Sequence, residues 1–299
     1  LIAGVRVGRI DGRFVINPTH KEREKSDLNL IYCATREWPL MIEGEAHELS
    51  EADLVAAMRF GHEACVRIVD AQIELRRKLG RPDKTIEEPE ADSTFIVAAR
   101  SIAGAALCDA LQIVGKLERQ NRVQEIKKDL NAKMLAQFPE MTEEEFRATF
   151  DELEIEIVRT NVLEHGRRID GRAATELRPL AAQVGCLPRA HGSAIFSRGE
   201  TQALGTVTLG TRSDLQALDA VTGGETEKRF MLHYNFPPYS VGEVGRLGST
   251  GRREIGHGAL AERALTPMIP DADKFPYTVR LVSDIMESNG SSSMATVCG

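Results

Sequence analysis

The sequence has no CxxC pair and no Cys/His cluster. Its five cysteines, Cys33, Cys65, Cys108, Cys186 and Cys298, lie far apart. That spacing argues against a zinc site. It fits free, mostly buried thiols in a reducing cytosol, so the expected location is cytoplasmic. No apolar run approaches the roughly 20 residues a bilayer crossing requires, which argues against a membrane partner. The chain opens Leu1-Ile2-Ala3-Gly4, without an initiator Met or a basic n-region. No signal peptide is read there, and an internal piece of a longer product is expected. Net positive charge is also lacking: 38 Lys and Arg against 45 Asp and Glu leave −7. Any binding of a polyanion must therefore rely on a local field. Composition is otherwise ordinary, 42% hydrophobic and 28% charged. A chain of 299 residues can hold two domains, or two partial domains with a helical insert.

The chain begins with β-rich runs, Val5–Ile10 and Arg13–Ile16, joined through Asp11-Gly12, a strong hairpin signal. Leu28–Cys33 and Leu40–Glu43 read as further strands. Ser50, three residues before Asp53, starts a helix expected over Glu51–Leu79, and Gly80-Arg81-Pro82 ends it. Residues 83 to about 92 (Asp83, Glu87, Glu88, Glu90, Asp92) are polar and acidic and suit a linker. From Phe95 to about Thr160 the pattern is helical, broken at Pro139 and restarted by a Thr142/Glu145 capping box. Its charges read as a solvated helix face rather than an RNA-binding surface. After Gly166 the composition turns to Gly, Thr and Arg. Strands are expected at Ser193–Arg198, Gln202–Leu209, Arg229–Asn235 and Tyr277–Val282, with a helix at about Ala259–Met268.

Four segments could carry chemistry. In Gly251-Arg252-Arg253-Glu254-Ile255-Gly256-His257-Gly258, two guanidiniums, a His and three glycines precede a helix. Exposed N–H groups, the helix dipole and bidentate Arg favour phosphate there, while the plainer reading is a loop of solvated arginines. In Glu287–Ala295 the run Ser291-Ser292-Ser293 could cradle a phosphate, or simply cap a helix. Tyr234–Glu243 places aromatics beside prolines, either to stack on unpaired bases or to pack at a strand end. His165–Arg172 is basic, with its charge either functional or solvated. His62, His191 and His233 read as structural.

In order, His165–Arg172, Leu187–Ala194 and Arg198–Ala203 resemble the opening of an RNase PH-type core. His233–Gly242, Gly251–Gly258 and Glu287–Gly299 resemble the second such core of the polynucleotide phosphorylase (polyribonucleotide nucleotidyltransferase) family. The resemblance spans the whole chain. It implies an α+β fold: RNase PH-like (ribosomal protein S5 domain 2-like) partial cores flanking a small all-α domain. The expected domains are the end of a first core at 1–84, an all-α linker domain at 85–160, and an incomplete second core at 161–299.

The resemblance also implies an activity. Members degrade single-stranded RNA from its 3′ end with inorganic phosphate and release nucleoside diphosphates, reversibly, with Mg²⁺ assisting and usually as homotrimeric rings. By motif position, Ser291, Ser292 and Ser293 match the phosphate-binding turn, joined by Arg252 and Arg253. Arg252, Arg253 and His257 match the loop that meets phosphate or the RNA end. The family's catalytic Asp and Lys residues occupy a Gly-Asp-Met-Asp-Phe-Lys pattern downstream of the serine turn. No catalytic residue and no metal ligand is therefore expected within this chain, and the chain alone is expected to be inactive. The matching stretch of the first core, Ser26-Asp27-Leu28-Asn29-Leu30-Ile31, has Asn29 and Ile31 where the pattern has Asp and Lys. The alternative reading is a non-catalytic short form that binds RNA or phosphate or scaffolds a ring.

Overall fold

A computed structural model describes residues 1–82, 93–219 and 223–299. The acidic linker expected at 83–92 lies outside the described residues. The chain divides into two units, one comprising Leu1–Lys84 with Pro179–Gly299 and the other Thr85–Arg178.

In the first unit, β1 (Ala3–Ile10) and β2 (Arg13–Ile16) form the expected hairpin. Asp11 at φ 51 and Gly12 at φ 76 supply the two positive φ angles that a twist-matched two-residue turn requires. A single turn, α1 (His20–Arg23), is capped by Thr19 and leads to β3 (Leu28–Ala34) and β4 (Pro39–Ala46). The strands form an antiparallel sheet in the order β2-β1-β3-β4. Alternation in β3 buries Leu28, Leu30, Tyr32 and Ala34 under α2 (Glu51–Lys78), with Val5, Val7, Ala57, Cys65 and Val69. The Ser50 hydroxyl accepts from the Asp53 N–H at 3.1 Å and so starts α2. Gly61 lets α2 settle on this sheet, because a Cβ there would stand 3.0 Å from Val7 Cγ2.

The second unit is helical: α3 (Ser93–Leu111), α4 (Lys116–Gln137) and α5 (Glu143–His165). Its core gathers Leu107, Leu130, Met134, Phe146, Phe150 and Leu153. The Thr142/Glu145 capping box forms as expected. The helix continues beyond Thr160 to His165, where Gly166 takes the left-handed cap at φ 63. A second break, between α3 and α4, was not foreseen. Buried Arg119 staples it by donating from Nη1 to the carbonyls of Ile113 (2.7 Å) and Val114 (3.0 Å).

One expectation needs correction. α3 contains an 18-residue window, Thr94–Leu111, with a mean hydropathy of 1.5, long and apolar enough to cross a bilayer. Arg100 and Asp109 break the run to the eye, while Phe95, Ile96, Val97, Ile102, Leu107 and Leu111 keep the mean high. In the fold, Ala99, Ala103, Leu107, Ala110 and Leu111 pack into the helical core.

The rest of the first unit is a five-stranded sheet ordered β10-β11-β7-β6-β5. It is built from β5 (Leu180–Val184), β6 (Gly192–Arg198), β7 (Gln202–Gly210), a two-residue ribbon β8 (Gln216–Ala217) with β9 (Glu227–Lys228), β10 (Phe230–Asn235), α6 (Arg252–Leu265), β11 (Thr278–Glu287) and α7 (Ser292–Cys298). β10 and β11 run parallel, and the other neighbours in the sheet run antiparallel. The edge strand β5 has every residue exposed, which leaves no hydrophobic alternation to reveal it in the sequence. All five cysteines are free thiols, but only Cys65 is buried, so the expectation of mostly buried thiols fails: Cys298 is exposed and the other three are intermediate.

Candidate functional site

Because β10 and β11 are parallel, with Asn235 opposite Asp284, their carboxyl ends lie at one edge of the sheet. The segments that follow them are tied together there, with the Ser288 N–H donating to the Ser240 carbonyl at 2.7 Å. The turn joining β6 to β7 reaches the same edge, because Gln202 pairs with Glu287. Three of the four candidate segments therefore meet.

The basic segment is not a loop ahead of a helix. Arg252 and Arg253 are the first two residues of α6, and His257 lies in its second turn, so the helix starts seven residues before the expected Ala259. Two glycines argue for a loop locally, but two longer-range facts outweigh them. Glu254 closes a box, its Oε2 accepting the Gly251 N–H at 2.6 Å while Oε1 accepts the Phe236 N–H at 3.0 Å. Gly258 packs directly on β10, where a Cβ would stand 3.4 Å from Tyr234 Cβ. Arg252 and Arg253 are exposed. The Arg253 guanidinium lies 5.3 Å from the centre of the Phe236 ring.

The serine run forms the entrance to α7. Gly290 (φ 85) and Ser291 (φ 50) are left-handed, and Ser291 is exposed while Ser292 and Ser293 are buried. The N–H groups of the first helical turn have no acceptor within the helix, which leaves them to a ligand or water. The Ser292 hydroxyl is not free: it shares a 2.6 Å hydrogen bond with the buried Tyr234 hydroxyl.

Tyr234 thus joins the two segments. Its ring meets His257 edge-on, with centroids 5.2 Å apart, and stacks against Phe236 at 6.4 Å. Tyr234 is buried and packs at the strand end, Phe236 is partly buried against the same core, and Tyr239 is exposed. Burial, then the charge of Arg253, lowers the His257 pKa below its ordinary 6.5, and its Nδ1 is buried without a partner. Burial pushes the Tyr234 phenol up, partly offset by the Ser292 hydrogen bond.

Sequence reasoning did not single out Tyr234 as the joint, nor Arg198 and Thr201 behind the serine turn. Their contacts cross some 60 to 90 residues and leave no local pattern. The fourth segment, His165–Arg172, lies outside the unit that holds these three. It belongs to the helical unit, where Arg119 donates to the Ile169 carbonyl and Arg172 pairs with Asp170 at 2.7 Å. Burial raises the Asp170 pKa, but the Arg172 hydrogen bonds and charge outweigh it and lower the carboxyl overall. His62, His191 and His233 each face an internal partner: the Tyr32 hydroxyl, the Leu209 N–H and Arg280 Nε.

The stretch Ser26–Ile31 leads into and begins β3 of the first sheet. Asn29 Oδ1 accepts from Arg6, and its Nδ2 donates to Glu45 at 2.7 Å. Asp27 lies 3.8 Å from Arg9. Two guanidiniums on this donor set do not fit a divalent cation.

Comparison with known proteins agrees with this layout. Residues 1–64 match the model for the 3′ exoribonuclease family, domain 2, and residues 176–299 match that for domain 1. Residues 97–173 match the model described as polyribonucleotide nucleotidyltransferase, RNA binding domain. Proteins named polyribonucleotide nucleotidyltransferase are similar over all of this chain. They include those of Methylacidiphilum infernorum (49% identical), Geobacter sulfurreducens (50%) and Rhodospirillum rubrum (50%). The chain spans 42% of the length of each. Rice (Oryza sativa) Rrp46 is 23% identical with a TM-score of 0.32, covering 44% of this chain and 56% of that one, too slight a likeness to argue from. With three family models placed in series and half the residues identical throughout, the chain belongs to the polyribonucleotide nucleotidyltransferase family.

Proposed function

We propose that this chain supplies the anion-binding part of a phosphorolytic 3′→5′ exoribonuclease site. In that reaction an oxygen of inorganic phosphate attacks the 3′-terminal phosphodiester of single-stranded RNA. The bond to the penultimate 3′ oxygen breaks, a nucleoside diphosphate leaves, and the shortened RNA keeps a 3′ hydroxyl. The reverse reaction polymerises diphosphates.

The observation that carries this reading is the Tyr234–Ser292 hydrogen bond, which fixes the serine turn beside the basic first turn of α6. Both reacting groups are anionic, so a site must offset their repulsion. Fixed N–H donors and guanidiniums do so without reorganising. Ser291 and the first-turn N–H groups of Ser292 and Ser293 take the phosphate. Arg252 and Arg253 supply charge to phosphate or RNA, and neutral His257 borders the RNA end. One preorganised donor is worth roughly 3 kcal/mol in such a transition state, so losing Arg253 costs about a hundredfold in rate.

Mg²⁺ is implied by the family. The Asp27/Asn29 set, with Arg6 and Arg9 on it, does not fit it. The catalytic Asp and Lys are proposed to lie beyond Gly299. The remaining proposals are a homotrimeric ring, a cytoplasmic location, RNA contact by the helical unit, and a division into two partial cores around that unit, with its end moved past residue 160 because α5 runs on to His165.

The test is ADP release from poly(A), inorganic phosphate and Mg²⁺. The 299-residue chain should release none, and a protein of the relatives' length carrying it should. Phosphate-dependent ADP from the chain alone would show the catalytic carboxylates to be misplaced. RNA binding without ADP even from the longer protein would favour a non-catalytic binder.

A further inference from the structure

The serine turn is held by the neighbouring β6–β7 turn. Arg198, the last residue of β6, donates from Nη2 to the carbonyls of Gly290 (2.9 Å) and Ser291 (3.2 Å). Thr201, fully buried in the turn that leads to β7, donates from Oγ1 to the Gly290 carbonyl at 3.2 Å. The same oxygen accepts the Asn289 N–H at 3.0 Å. Asn289 Nδ2 in turn donates to Glu200 Oε2 at 2.9 Å. One guanidinium and one hydroxyl from a single tight turn therefore hold three successive residues, Asn289, Gly290 and Ser291.

The sheet itself does not need these contacts. The β7–β11 ladder ends at the Gln202–Glu287 pair, just after a register shift. The segment they hold is not at rest: Ser291 is a non-glycine residue at φ 50, a conformation that persists where surrounding contacts impose it. That conformation decides where the first N–H groups of α7 point.

We propose that Arg198 and Thr201 are positioning residues for the attacking phosphate, holding Gly290 and Ser291 in the left-handed conformation that aims the first turn of α7 at the anion. The inference rests on reading Ser291–Ser293 as the phosphate turn. If it is right, phosphate affinity depends on a residue pair that touches neither substrate. Turnover at saturating phosphate depends on them far less.

The experiment uses a protein of the relatives' length that carries this chain, with initial ADP release measured against phosphate at saturating poly(A). Thr201→Val keeps the shape but removes both hydrogen bonds of the hydroxyl. It should raise KM for phosphate about tenfold and change kcat by less than about twofold, and Thr201→Ser should restore KM. Arg198→Lys keeps the charge but loses the fork, and should raise the same KM without lowering the melting temperature to match. A purely structural role would lower melting temperature and active fraction and leave KM unmoved, and that result overturns the inference. So does an equal rise in KM for RNA. Arg253→Ala and Ser293→Ala run alongside. If these lower activity while the Arg198 and Thr201 variants leave KM alone, only the positioning role fails. If Arg253→Ala and Ser293→Ala are themselves without effect, the site reading fails with it.

Discussion

Removing the Tyr234 hydroxyl tests whether the two segments proposed to bind the anion are tied together in the folded protein. Tyr234 is 2% exposed and Ser292 4%, and their oxygens are 2.6 Å apart. Tyr234→Phe keeps the ring that meets His257 and Phe236, so the change is confined to one oxygen. It removes a hydrogen bond and strands the buried Ser292 hydroxyl, and the stranded group dominates the loss at about 2 kcal/mol in total. Ser292→Ala does the reverse, stranding the phenol, for about the same. The double variant leaves two apolar groups facing each other and should cost less than about 1 kcal/mol, so the two changes couple by roughly 3 kcal/mol. Urea unfolding followed by far-UV circular dichroism measures all three. Each single variant should also melt about 4–8 °C lower, as 2 kcal/mol implies for a unit of this size. Additive losses, or single losses below about 0.3 kcal/mol, would refute the reasoning, because a formed bond between buried hydroxyls cannot be removed twice.

Two glycines should respond to alanine with opposite signs. Gly61→Ala gains helix propensity of about 1 kcal/mol but drives a methyl against buried Val7 and Tyr32. It should therefore destabilise by about 1 kcal/mol net. Gly256→Ala in α6 meets nothing within 4 Å and should stabilise by up to about 1 kcal/mol. The two urea midpoints decide, and matching signs would mean that α2 is not seated as described. His257 is held below its ordinary 6.5 by burial and by Arg253, so the unfolded chain takes up its proton first. The stability it contributes is present above that value and lost as pH falls through 6.5 toward the lowered folded pKa. His257→Gln should flatten the fall in melting temperature between about pH 7.5 and 5.5, and an unchanged slope would place His257 in solvent. His233 is lowered in the same direction, by burial and then Arg280, so part of the slope remains in that variant.

The features legible in the sequence are those whose cause is local. Asp11-Gly12, Ser50 before Asp53, and Thr142 before Glu145 each state a backbone requirement within four residues, and each element begins where that requirement places it. β5 carried no signal because every residue in it is exposed, and burial is what writes alternation into a strand. α6 was misplaced for the opposite reason. Gly256 and Gly258 look like loop residues locally, yet Gly258 is small because a strand lies against it, and Glu254 caps the helix while also holding the Phe236 N–H. The site divides the same way. Its charged and hydroxyl residues were readable as motifs. Their assembly was not, since it depends on a parallel pairing of β10 with β11 and on a tyrosine that reaches 58 positions along the chain. That same assembly changes what the serines offer. With the Ser292 hydroxyl turned to Tyr234, the donors left for an anion are chiefly backbone N–H groups. Their direction is set by the left-handed turn at Gly290 and Ser291 rather than by side-chain identity. A motif names the residues at such a site, but the backbone that aims them is fixed by contacts from elsewhere in the chain.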